Sequence, residues 1–337
     1  MTAEEILNIE KCGDLFPNNI DESKKVYRDL AHKWHPDLCK DPSASEVFSK
    51  INELYRMAEK MILNGTWEKS NYITIPCKNN KKIGISYDVC YSFELGKYYV
   101  TKTNVIYVFD YDKSKYYFNA LKNINSIKYE NEQLKNNFQE SMPEKNSNFE
   151  ANDGRYILIL NKPEGIYPLR AVLEYFDNKI YDKHVAWIIS RLSNIACFLE
   201  YNNLVHNGIC VDNCFISPEN HTIHLYGGWW YTTAIGEKML GTTSGIYSVM
   251  SASAKGKKTS SVVTDLESIK LIGRELLGDN SGKVLKSLSI PEGFIKFVTE
   301  GSGKSAFQEF EKWDKLLTMS YGKRVFVPME IENLYKK

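Results

Sequence analysis

Two short histidine-led segments carry the residue types best suited to act on a partner or a substrate, His35-Pro36-Asp37 and His206-Asn207-Gly208. In the first, proline fixes the local backbone, so an imidazole and a carboxylate are presented at little ordering cost. Lys24, Lys25, Arg28 and Lys33 precede it on a helix, where exposed cations steer an acidic partner and act mainly on association rate and register. The second segment is followed by Asp212-Asn213. A single asparagine holds magnesium poorly, because that ion prefers carboxylates and phosphates. Gly301-Ser302-Gly303-Lys304-Ser305 has the ending of a phosphate-cradling loop, but the first glycine of that pattern falls at Val298, so a surface turn between helices is expected. Lys255-Gly256-Lys257-Lys258 is short and has no stacking aromatics around it, and it reads as solvated loop.

Seven cysteines are scattered and odd in number, which fits a reducing compartment better than a disulfide framework. No Cys-x-x-Cys occurs, and Cys210 with Cys214 lacks a second ligand pair, so no metal site is expected. The amino-terminal residues show neither a basic start nor a long apolar run, and the chain reads as cytoplasmic with no membrane partner. Lys and Arg total 43 against 42 Asp and Glu, so no global field favours nucleic acid, and charged recognition must be local. A length of 337 residues calls for more than one domain.

The elements that position these residues follow from periodicity. Between Ser23 and Trp34, Val26, Tyr27, Leu30, Ala31 and Trp34 recur at helical spacing, with Asp21 as the expected cap. From Ser45 a second stripe runs through Val47, Ile51, Leu54 and Ala58 to a stop at Asn64-Gly65. The two stripes, joined by the proline-containing HPDLCKDPS, predict an antiparallel helical hairpin within residues 1–66. After Trp67, NYITIP, KKIGISY, GKYYVT and NVIYVFDY predict strands. Residues 112–150 are rich in Lys, Asn and Glu, with a helix expected near Glu130–Glu140, and RYILILN returns to strand. The apolar arc of 183–201 is too wide for a surface helix and predicts a central one. Residues 241–261 read as a loop, and Asp265 to Leu277 as helix. Strands first and helices afterwards imply an α+β body after the hairpin.

YRDLAHKWHPD and FSKINELY, with the two stripes around them, closely resemble the J-domain of DnaJ-type co-chaperones over residues 1–66. The resemblance implies that His35, Pro36 and Asp37 trigger ATP hydrolysis by a DnaK-type chaperone (the heat shock protein 70 class). It likewise makes Lys24, Lys25, Arg28 and Lys33 the docking charges. Two departures stand out: the first helix, around Ala3–Cys12, matches the family poorly, and no Gly/Phe-rich or zinc-binding segment follows.

HVAWIISRLSNIACFLEYNNLVHNGICVDNCFISPENHTIHLYGGWW (184–230) resembles the central helix, catalytic loop and magnesium loop of a protein-kinase-like fold, and TDLESIKLIGRELLG resembles the buried helix that follows, with Asp265 as its aspartate. The resemblance, over roughly 75–325, implies a two-lobed body, mostly β at 70–162 and mostly α at 163–330. Phosphoryl transfer needs a positioned base and magnesium carboxylates. The base position is Gly208, the Asp-Phe-Gly position is Tyr226-Gly227-Gly228, and the phosphate-binding lysine position falls at Val108. Asn213 alone survives among the metal ligands, His206 is read as structural, and Tyr226, Trp229 and Trp230 are expected to pack into the vacated cleft or its rim.

The expectation is therefore a co-chaperone that recruits a DnaK-type chaperone, with a catalytically inactive kinase-like module that binds a protein client or assembly partner and needs no cofactor. Nucleic acid is not expected as a partner. The rivals are an atypical phosphotransferase delivered by its J-domain, and a decoy, such as a virus might encode, that diverts the chaperone.

Overall fold

A computed structural model describes residues 1–78, 81–323, 325, 327–332 and 334–335. The chain divides into two compact units, Met1–Lys102 with Ile106–Tyr111 and Asn148–Ile157, and Thr103–Val105 with Asp112–Ser147 and Leu158–Lys337.

The first unit opens with α1 (Ala3–Leu7), α2 (Ile20–Lys33) and α3 (Ala44–Asn64). α2 begins earlier than its apolar stripe because Asn19, not Asp21, is the cap: its side chain accepts from the Asp21 and Glu22 amides at 3.0 and 3.1 Å. Asp21 and Glu22 lie instead in the first turn, where negative charge suits the helix dipole. Gly65 closes α3 in the left-handed region, at φ 68°, as the Asn-Gly signal predicts. Ile6, Phe16, Trp34, Val47, Ile51, Leu54 and Ala58 form the core between these helices, and Tyr27 stacks on Tyr55 at 4.3 Å. The expected first helix is shorter, and a 3₁₀ turn at Cys12–Asp14 replaces its end.

Strands β1 (Glu68–Lys69), β2 (Tyr72–Pro76) and β3 (Lys82–Ser86) form an antiparallel sheet with Ile73 opposite Ile85. β4 (Val89–Phe93), β5 (Gly96–Val100), β6 (Asn104–Phe109), β7 (Glu144–Glu150) and β8 (Tyr156–Asn161) are ordered β4-β5-β6-β8-β7 in one sheet. The strands expected at 71–76, 81–87, 96–101, 104–111 and 155–161 are present, and Val108 is buried in β6. β4 and β7 are additional.

The first unit also seats the helical hairpin on the strands that follow it. Trp67 is buried in the helical core. Lys11 pairs with Glu68 at 3.1 Å and bonds the Tyr87 hydroxyl, and Asp14 accepts from the Ser70 amide and hydroxyl at 2.7 and 2.6 Å. A Cβ on Gly13 would stand 2.5 Å from the Glu68 carbonyl oxygen, so only glycine allows this approach.

The second unit contains α4 (Ser114–Ser126), α5 (Glu132–Phe138), β9 (Tyr167–Pro168), α6 (Leu169–Tyr175), α7 (Asp182–Tyr201), β10 (Leu204–Val205), β11 (Cys214–Ser217), β12 (Thr222–Leu225), β13 (Thr233–Ala234), α8 (Ser244–Val249), α9 (Ala252–Lys257), α10 (Val262–Leu276), α11 (Glu292–Thr299) and α12 (Ala306–Tyr321). α7 is central as expected: Val185, Ile188, Ile189, Leu192, Ile195 and Leu199 are buried, with α10 and α12 packed against it. The 241–261 loop reading is corrected, because α8 and α9 lie within it. Thr243 and Ser251 cap their amides, so the hydroxyl residues that suggested a loop start two helices. α4 is also unexpected in its Lys/Asn-rich stretch. Gly301–Ser305 is the turn between α11 and α12, as expected. Its Ser302 and Gly303 amides already donate to the Glu267 and Glu309 carboxylates at 2.5 and 2.9 Å, leaving no phosphate cradle. Among the described residues, no helix is long and apolar enough to cross a membrane.

Candidate functional sites

The first site is the turn after α2. The Asp37 amide lies 3.2 Å from His35 Nδ1, and the Asp37 carboxylate lies 3.8 Å from the same atom. The His35 ring sets its edge against Phe48 of α3 at 5.4 Å, so the hairpin orients the imidazole. His35 keeps 44% of its side chain exposed and Asp37 88%. Pro36, Lys24, Lys25 and Arg28 are exposed as well. Lys33 differs from the other three cations. It donates to the Met1 carbonyl at 3.2 Å and covers the Trp34 ring at 5.5 Å, so part of its bonding capacity is spent within the fold. Lys24, Lys25 and Arg28 have no such contact, and a cationic face therefore leads to the tripeptide.

The second site is the loop between β10 and β11. Asp265 of α10 accepts from the His206 and Asn207 amides at 2.7 and 2.9 Å. Burial pushes its carboxyl up to about 7, while the two amide bonds pull the other way. Burial drives His206 down to about 3, so its ring is neutral, and it stands edge-on to Trp229 at 5.0 Å.

Gly208 and Gly228 close the site sterically. A Cβ on Gly208 would lie 3.0 Å from the Gly228 Cα and 3.1 Å from its carbonyl oxygen. A Cβ on Gly228, itself at φ +82°, would lie 2.4 Å from His206 Cε1 and 2.8 Å from the Gly208 carbonyl oxygen. A side chain at 208 would press on the Gly228 backbone and the His206 ring, which would have to give by a few tenths of an ångström. The Asn213 amide donates to the Gly208 carbonyl at 2.8 Å, which ties it to this loop. Asp212 does not approach position 208's role either: it is bound bidentately by Arg170 at 2.6 and 3.1 Å, and Arg170 also holds Glu275 at 2.9 Å.

Tyr226, Trp229 and Trp230 are all buried, and Trp229 donates from its indole to the Leu225 carbonyl at 2.6 Å. Sequence reasoning missed what holds them. Asn119 and Asn123 of α4 donate to the carbonyls of Trp230 and Thr232 at 2.8–3.0 Å. The signal was there: Tyr117, Ala120 and Ile124 recur at helical spacing inside the polar stretch. Asn207 was missed too. Fully buried at φ 57°, it donates to the Tyr231 carbonyl at 3.1 Å and the Ser260 hydroxyl at 2.9 Å, and its own carbonyl accepts from Thr242 at 2.6 Å. No cluster of potential metal ligands occurs among the described residues.

Comparisons with known proteins bear on the first site. Over 37 residues the chain is 51% identical to chaperone protein DnaJ 2 of Aquifex aeolicus and 57% identical to the DnaJ of Dictyoglomus thermophilum, in each case 11% of this chain and 10% of the relative. Over 68 residues it is 37% identical to the DnaJ of Thermosynechococcus vestitus, 20% of this chain and 16% of the relative. The chain thus spans a small part of these curated relatives. Among solved structures, that of vaccinia related kinase 3 overlaps 70% of this chain and 92% of its own, at 14% identity and a TM-score of 0.48. The hairpin that carries the first site has a family likeness of its own: residues 5–60 match the DnaJ domain.

Proposed function

We propose that the protein is a J-domain co-chaperone that recruits a DnaK-type chaperone and stimulates its ATPase, and that the remainder of the chain is a catalytically inactive binding module for a protein partner. The observation that carries the first half is the exposed His35-Pro36-Asp37 turn at the end of a cationic helix, within a segment that matches the DnaJ domain. The second half is supported by the close packing of Gly208 on Gly228, which crowds the position a catalytic carboxylate would take. Tethering a partner beside the chaperone raises its effective concentration without any new contact.

The test is single-turnover ATP hydrolysis by a DnaK-type chaperone with the intact protein and with His35→Gln. Stimulation by the wild type and its loss in the variant are expected. A folded wild type that leaves hydrolysis unchanged overturns the reading. In parallel, ATP with magnesium is expected to leave the melting temperature unchanged, since only a ligand that binds the native state raises it. A rise would return the phosphotransferase reading to the front.

A further inference from the structure

Residues 238–260 form a closed excursion from the second unit. Its two ends are zipped together: the Met239 amide donates to the Lys258 carbonyl at 2.8 Å, the Ser260 amide to Glu237 at 2.8 Å, and the Gly236 amide to Ser260 at 2.9 Å. Inside, Ile246, Met250 and Ala254 form a small core with Met239 and Cys210 packed on it. Asn207 fastens both ends, accepting from Thr242 near the start and donating to Ser260 at the finish. The excursion is therefore ordered before any partner arrives, which lowers the entropy lost on binding.

Its charge is one-sided. From Lys238 to Thr264 the sequence holds Lys238, Lys255, Lys257 and Lys258 and not one Asp or Glu. Lys238, Lys257 and Lys258 are exposed, and the bridge between Lys238 and Thr259 brings the two ends of the lysine set together. Among the described residues, no ion pair engages these lysines. The aromatics differ from the sequence reading: Tyr247 is 54% exposed, but Lys255 lies over its ring at 5.2 Å. With that one exposed ring covered and no arginine in the segment, a stacking platform for nucleic acid is missing.

We propose that residues 238–260 are a preformed basic docking surface for an acidic polypeptide segment, held in place by Asn207. The proposal rests on the reading of this body as a binding module and names the chemistry of its partner. The Asn207 side chain, at a position where the resembled motif carries arginine, anchors the surface from inside the fold.

The experiment is fluorescence anisotropy of the intact protein with a labelled Glu/Asp-rich peptide at several salt concentrations. Binding that weakens as salt rises is expected, since exposed charges are screened over about 10 Å at 0.1 M. Lys238→Glu/Lys257→Glu/Lys258→Glu is expected to lower affinity by about tenfold or more. Lys283→Glu/Lys286→Glu/Lys304→Glu, the same change of charge on other exposed lysines, is expected to leave it in place. Equal losses in the two variants, or none in the first, overturn the proposal. So does tighter binding of labelled oligothymidylate or phosphatidylserine vesicles than of the peptide. His35→Gln is expected to keep peptide binding while losing ATPase stimulation, so failure of docking is read separately from failure of co-chaperone activity.

Discussion

The turn at His35 and the loop at His206 are each built on a histidine-led tripeptide, and the fold treats them oppositely. At the first, 44% of the His35 side chain and 88% of the Asp37 side chain face solvent, and the contacts between the two residues, at 3.2 and 3.8 Å, are long. At the second, His206 and Asn207 are fully buried, their amides end on Asp265, and the Asn207 side chain bonds two neighbouring segments. One site leaves its polar atoms to solvent, and the other spends its backbone amides and the Asn207 side-chain nitrogen on its own chain, while among the described residues both buried His206 ring nitrogens go without a hydrogen bond. A residue pattern alone does not decide between these uses. The deciding quantity is how much of the bonding capacity the fold has already consumed.

This contrast can be broken most forcefully at Asp265. Asp265→Ala leaves two buried amides without an acceptor, and a loss of about 3 kcal/mol is expected in urea denaturation. The turn at His35 has no equivalent: His35→Gln is expected to change stability by less than about 0.5 kcal/mol. Equal losses at the two histidine-led segments would end the distinction.

Next in size is Gly228→Ala, which meets His206 Cε1 at 2.4 Å with a strained backbone, and about 2 kcal/mol of destabilisation is expected by thermal melting. Gly208→Asp is expected to destabilise as well and to confer no phosphotransfer on a protein acceptor, measured with radiolabelled ATP. Recovered activity would show that the base position is open after all.

Smaller per pH unit is the effect of acid. His206 is held neutral, with its pKa lowered from 6.5 to about 3. Its contribution to stability is complete above 6.5 and is lost as pH falls toward 3, on the order of 1.4 kcal/mol per pH unit. Asp265, raised from 3.8 to about 7, runs the other way, losing stability as pH rises through that window. The difference between wild type and His206→Leu isolates the histidine: it is expected to narrow on acidification below 6.5 in urea titrations. A pH-independent difference would mean that the imidazole is not buried as described.

Much of this architecture was legible where apolar spacing dominates. The stripes of α2 and α3, the wide arc of α7 and the β-branched runs of β2, β5, β6 and β8 specify their elements directly. What escaped detection depends on polar side chains whose role is set by distant partners. α4 reads as a Lys/Asn-rich stretch until Asn119 and Asn123 meet the carbonyls of Trp230 and Thr232. α8 and α9 read as loop until Thr243 and Ser251 act as caps. At the second site, the identities of Gly208, Tyr226 and Gly228 were plain from the sequence. The packing of Gly208 on Gly228 was not, because it depends on two backbones meeting across 20 residues of chain.

The seat of Trp67 in the helical core has a consequence for where such a module can be cut. The match to the DnaJ domain ends at residue 60, yet the core it belongs to is completed by Trp67, and the turn at Cys12–Asp14 is fastened to Glu68 and Ser70. The matched segment is therefore smaller than the unit of folding, and excising it at the edge of the family likeness would remove part of its own interior.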